Sequence, residues 1–256
     1  MKKLQLNAAI TALIICCTSA AGAAERVVPF PPELDTKSAG ASSYNAAGDV
    51  KDSPYFPSKD YFTLTSSNKG LTILSGFPTY QQTTEVTCGP AAALTVLYYF
   101  GNKKYDEHML SILMDTLHEP KKGGEMGTST SGMVKFFKSI GWKVASSLDR
   151  PQGKSYDFEN PQQFKDFVLK NLKEGVPVMV ENMYWGGHWR VIIGYDTMGT
   201  EKTTDDVIIF MDSYDVLDHR QDGYAVQAAE GFFYTWKDME YLPKAERVQQ
   251  WLTARP

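Results

Sequence analysis

Between Thr87 and Asn102 the chain reads T-C-G-P-A-A-A-L-T-V-L-Y-Y-F-G-N, and this run constrains the fold more than any other. From Ala91 to Phe100 only Thr95 interrupts the apolar side chains. A helix that is apolar on every face has to be central and buried. Gly89 and Pro90 suit its entry and first turn, and Gly101-Asn102 suits its exit. Cys88 stands at the N-terminal end, where the positive end of the helix dipole favours a thiolate. Two readings follow. Cys88 is a nucleophile, or it is a small buried hydrophobe, the ordinary state of a free cysteine.

The N-terminus bears on that choice. Lys2 and Lys3, the apolar stretch Ala8–Cys17 and the small residues Ser19–Ala24 have the three parts of a secretory signal peptide, assigned to 1–24. Its apolar core is shorter than the roughly 20 residues a membrane span needs, and no later segment reads as a span. Export places the mature protein in the periplasm or outside the cell. Cleavage removes Cys16 and Cys17 and leaves Cys88 as the one cysteine of three. A lone thiol in an oxidising compartment has no intramolecular disulfide partner, so it calls for deep burial or a use. The whole chain carries a net charge of −4, and losing the signal's two lysines makes the remainder more acidic. With no basic stripe, nucleic acid is excluded as a partner.

The remainder suits one domain, 61–256, preceded by a Pro-, Ser- and Gly-rich arm over 25–60 expected to be extended and irregular. Short strands are expected at Tyr61–Thr65 and Leu71–Leu74. After the central helix, a second is expected over Tyr105–Leu117, with Met109, Leu110, Leu113, Met114 and Leu117 on one face. A third carries Met133, Val134, Phe136, Phe137 and Ile140 behind a glycine- and hydroxyl-rich loop. Trp142–Ala145 reads as a strand and Pro161–Leu172 as a fourth helix. Then Pro177–Glu181, His188–Tyr195 and Val207–Asp212 follow one another with no helix between them, as in an antiparallel meander. The tail is expected to form a helix over Ala245–Leu252. Helices first and sheet second is an α+β arrangement.

The meander tests partners for Cys88. His188 opens one strand and Asp212 closes the next, so antiparallel pairing sets them side by side, with Asp215 as the rival within boundary error. Asp196, Asp205 and Asp206 belong to the far end. His108, His118 and His219 read as surface or turn residues. An imidazole beside a thiolate holds it as an ion pair and protonates the leaving group, while a carboxylate fixes the ring. The resulting oxyanion needs donors: a backbone N–H at the helix start and a side-chain amide, which Gln81 or Gln82 supplies. No second cysteine or histidine cluster supports zinc, and no cofactor motif is present.

In their order, Gln, Cys-Gly, a strand-opening His and a strand-ending Asp resemble papain-fold cysteine peptidases. More narrowly, C-G-P-A-A-A-L, G-T-S-T-S-G-M-V-K-F-F-K-S-I-G, G-V-P-V-M-V and H-W-R-V-I-I-G-Y-D resemble family 39 of the cysteine peptidases, the double-glycine peptidases and their relatives. The resemblance runs from about Thr79 to Tyr214. It implies a papain-like fold with a buried nucleophile helix packed on an antiparallel sheet. It also implies Cys88, His188 and Asp212 as catalytic residues and Gln82, six positions before the cysteine, in the oxyanion hole. Ser213 stands where the family often has proline after the aspartate. The implied activity is thiol-dependent hydrolysis of a peptide, protein or small amide, without cofactor. Acyl transfer on the same fold, as in the phytochelatin synthase branch, and a catalytically idle peptide-binding or assembly factor are the alternatives.

Overall fold

The apolar run forms helix α1, Cys88–Tyr99, in which every residue from Cys88 to Leu97 is buried. The computed structural model describes residues 25–44, 54–55, 57–183, 186–216, 220–238 and 241–256. The signal-like segment 1–24, part of the arm, and His219 lie outside them. Helix α1 packs against one strand of an antiparallel sheet, which makes the architecture α+β.

The other helices are α2 Glu107–Leu113, α3 Thr130–Ser139, α4 Pro161–Lys173 and α5 Ala229–Thr235. The strands are β1 Leu71–Ile73, β2 Lys143–Ser146, β3 Val178–Asn182 and β4 His188–Asp196, then β5 Val207–Met211, β6 Tyr224–Ala228 and β7 Gln250–Arg255. Their order in the sheet is β2-β7-β3-β4-β5-β6, with β1 alongside the far half of β4. The stretch β3-β4-β5-β6 is the expected meander, extended by one strand.

Local chemistry explains the helix starts. Ser129 accepts a hydrogen bond from the Gly132 N–H to cap α3, and Asn160 accepts one from Gln163 to cap α4. Helix α2 is shorter than its apolar pattern predicts. Asp106 caps it by accepting from Met109, and the chain leaves it at Met114, just before Asp115 turns left-handed at φ 56°. Only Leu110 and Met114 of the predicted stripe are buried, whereas Met109 and Leu113 are about two-fifths exposed. No strand forms over Tyr61–Thr65, which is turn and loop.

The tail departs most from expectation. Ala245–Leu252 is not a helix; Lys244–Glu246 is one 3-10 turn, and Gln249 takes a left-handed φ of 46°. Strand β7 then inserts between β2 and β3 and pairs with both. Its most deeply buried residues, Gln250, Leu252 and Ala254, keep a strand period of two. The polar member of that set, Gln250, accepts hydrogen bonds from Thr130 Oγ1 and Ser147 Oγ, so it is buried at little cost.

The N-terminal segment lies on the domain. Val27 bridges Thr79, Val28 is buried, and Ala41–Ser43 forms a 3-10 turn. At the head of α1, Gly89 is held by a close approach: a Cβ there would meet the Thr128 Cβ at 2.6 Å and its Oγ1 at 2.8 Å. Gly89→Ala is therefore expected to destabilise the protein by about 1–3 kcal/mol, read as a lower denaturant midpoint. An unchanged midpoint would mean that Thr128 moves aside freely.

Candidate active site

Two loops and two strand ends meet at the head of α1. Cys88 is the first residue of α1 and His188 the first of β4. Asp212 directly follows β5, and pairing of Val191 with Met211 brings the start of β4 beside the end of β5. His188 Nε2 lies 2.6 Å from Asp212 Oδ1, and the imidazole also hydrogen-bonds the Cys88 thiol. All three residues are buried.

The electrostatics follow from this enclosure. Burial alone would lower the His188 pKa, but the charge and hydrogen bond of Asp212, with a further contribution from Cys88, raise it to about 9. Burial would likewise raise Asp212; the His188 charge and hydrogen bond, with Arg190 beyond, hold that carboxyl below its ordinary value. The imidazole is thus kept protonated at neutral pH.

The rival carboxylates are elsewhere. Asp215 Oδ2 accepts from the Gly223 N–H and ties the turn before β6. Asp206 pairs with Lys165 at 2.9 Å and accepts from Tyr195. Asp196 and Asp205 accept from Met198 and Thr200 at the far end of the β4–β5 pair. His108 is exposed on α2, and His118 Nε2 hydrogen-bonds Ser111.

The two glutamines separate in the same way. Gln82 is buried, its Nε2 donates to Thr84 O at 2.8 Å, and its Oε1 accepts from Ser213 Oγ at 2.9 Å. Gln81 instead donates to Gln221 O. Ser213, in the position where proline was expected, therefore orients the Gln82 amide. A cavity of about 600 Å³ opens onto Cys88 and His188, and its walls include Gln82, Met126, Gly127 and Gly187.

Three supporting groups escaped the sequence reading. Arg190 stacks 4.0 Å over the Phe210 ring, donates to Asn182 and Gln227, and sets Nη1 3.9 Å from Asp212 Oδ2. Its position two residues after His188, on the same strand face, was the available signal. Glu107 is buried and accepts from Tyr80 Oη, the Thr83 N–H and Oγ1, and Thr87 Oγ1, which fastens the loop carrying Gln82 to α2. Glu181 is the third. Burial first, and then the neighbouring Asp238, raise its pKa well above the ordinary value. A Cβ on Gly187 would come within 2.7 Å of Asp238 Oδ1 and 2.9 Å of Glu181 Oε1. Glycine before His188 is what this approach allows.

Comparisons with known proteins bear on the family. No curated protein matches the chain. Among solved structures the chain is similar to the peptidase domain of Streptococcus ComA, a bi-functional ABC transporter involved in a quorum sensing pathway. That match has 18% identity and a TM-score of 0.43, and covers 70% of this chain and 98% of that one. The model of the Peptidase_C39 like family matches residues 74–243, well over half of the chain and all of the site except Tyr44 on the N-terminal segment. The chain belongs to the Peptidase_C39 like family.

Proposed function

We propose that this chain is an exported thiol-dependent hydrolase, periplasmic or secreted, that cleaves a peptide or amide bond. Cys88 is its nucleophile, His188 its acid and base, Asp212 the carboxylate that orients the ring, and Gln82 an oxyanion donor. The observation that carries this reading is the buried His188, hydrogen-bonded to Asp212 on one side and to the Cys88 thiol on the other. The export part rests on the features of 1–24 alone.

With Nε2 on Asp212, Nδ1 is the nitrogen left to meet the sulfur. The thiolate attacks the carbonyl carbon, a C–S bond forms, and the carbonyl electrons move onto oxygen. Helix α1 leaves the N–H groups of its first turn without intrahelical acceptors. Gln82 Nε2 spends one hydrogen on Thr84 O and has a second to give. Both kinds of donor stabilise the oxyanion. As it collapses, the C–N bond breaks and the imidazolium gives its proton to the leaving nitrogen. Water, deprotonated by the now neutral imidazole, attacks the thioester; an acid is released and the thiolate returns.

The test is hydrolysis of quenched peptide mixtures at varied pH. Turnover is expected in the wild type and, in Cys88→Ala, a loss of about 10³-fold or more. Intact-mass analysis of a slow ester substrate is expected to trap an acyl group on Cys88. Because the folded His188 pKa is raised, the imidazolium persists through neutrality and is lost as pH rises through about 9. The rate is expected to fall over the same range. Turnover unaffected by Cys88→Ala would overturn the assignment. Added amine or glutathione appearing in the products would make the enzyme a transferase.

A further inference from the structure

Among the described residues the cavity has one carboxylate in its wall, Glu85, and neither lysine nor arginine. Glu85 is held by two neutral donors: the Gly40 N–H reaches Oε1 at 3.1 Å and Tyr214 Oη reaches Oε2 at 2.8 Å. Hydrogen bonds of this kind fix a carboxylate in direction without cancelling its charge. Among the described residues no cation pairs with it. Beside it the rings of Tyr44 and Tyr214 meet edge to face, with centroids 5.8 Å apart. An oriented anion flanked by aromatic faces is a binding arrangement for an organic cation.

The place of this group ties it to the reaction. Tyr214 donates its backbone N–H to Asp212 Oδ1 at 2.9 Å, and its ring centroid is 6.4 Å from that of His188. Whatever binds at Glu85 is thus one side chain away from the bond that Cys88 would attack.

We infer that Glu85, Tyr44 and Tyr214 form a substrate subsite for a cationic group, either a lysine or arginine side chain or a free α-ammonium. The inference deepens the hydrolase reading and rests on it for the word substrate; the binding preference itself does not need turnover. The subsite joins the N-terminal segment, through Tyr44 and Gly40, to the matched domain. Selectivity then depends on a residue outside the family-matched span 74–243.

The experiment uses the Cys88→Ala protein and fluorescent hexapeptide mixtures that differ at one position, arginine against its neutral isostere citrulline, each with a free or an acetylated N-terminus. Arginine mixtures, or free-amine mixtures, are expected to bind roughly three- to tenfold tighter than their neutral counterparts, the range of a partly screened ion pair with aromatic faces. Glu85→Gln in the same background is expected to erase that ratio, and Glu85→Lys to invert it. A preference confined to arginine identifies a side-chain cation, and one confined to the free terminus an α-ammonium. Equal binding of all mixtures, no detectable binding, or a preference that survives Glu85→Gln would overturn the subsite. Turnover by the wild type without charge preference would also sink it while leaving the hydrolase standing. A charge preference in binding without any turnover would do the reverse.

Discussion

Asp212→Ala is expected to lower kcat/KM about 10²- to 10⁴-fold, whereas folded Asp215→Ala keeps a rate within a few-fold of wild type. Asp212 accepts at 2.6 Å from the imidazole and stands 3.9 Å from the Arg190 guanidinium, both inside the protein. Removing it takes the counter-charge from the buried Arg190 guanidinium and the acceptor from the imidazole, which costs stability on the order of 3–5 kcal/mol. The informative partner variant is therefore Asp212→Asn. It keeps an acceptor for the ring and loses the charge that raises the His188 pKa. Its alkaline limb is expected to move down from about 9 toward the ordinary value, because burial alone pulls that pKa lower. A limb that stays in place would show that Asp212 does not control the imidazole. Asp215 ties the Gly223 turn, so its alanine variant is expected to lose stability and leave the limb where it was.

The reach of sequence reasoning follows the range of the interactions involved. Helix α1 was legible because a run apolar on all faces has one solution, burial, and the Cys-Gly-Pro entry marks its start. The pairing of His188 with Asp212 was legible because antiparallel topology turns sequence order into proximity. Strand β7 was hidden because Gln250 occupies a core position and is satisfied by Thr130 and Ser147, residues more than a hundred positions away. Glu107 was hidden for the same reason: a buried carboxylate is stable only through partners the local pattern does not announce, here Tyr80, Thr83 and Thr87. The choice between Gln81 and Gln82 came from a family spacing. The structure adds the physical difference: Ser213 and Thr84 orient one amide beside the cavity, and Gln221 draws the other away.

The second large effect is expected far from the thiol in sequence, at Gly40→Ala. Gly40 has φ 66° and ψ −179°, a backbone region essentially reserved for glycine, where another residue is strained by about 1–3 kcal/mol. A Cβ there would also lie 2.5 Å from Gln82 O and Thr83 C and 2.6 Å from Thr84 N. These are backbone atoms and cannot rotate away, so either segment 25–44 lifts or the loop carrying Gln82 shifts. The hydrogen bonds from Ser42 N–H to Gln82 O and from Gly40 N–H to Glu85 then break. A stability loss on the order of 3 kcal/mol or more is expected. The control is Gly101→Ala, also at a left-handed φ of 77° but with nothing within 4 Å of the added Cβ; it isolates backbone strain, about 1 kcal/mol, with no effect on rate. The kinetic split says which side gives way. Displacement of Gln82, which acts on the oxyanion, lowers kcat, whereas loss of Tyr44 and the orientation of Glu85 raises KM for cationic substrates. Equal stability and rates for Gly40→Ala and Gly101→Ala would mean that the N-terminal segment lies on the active-site loop without holding it.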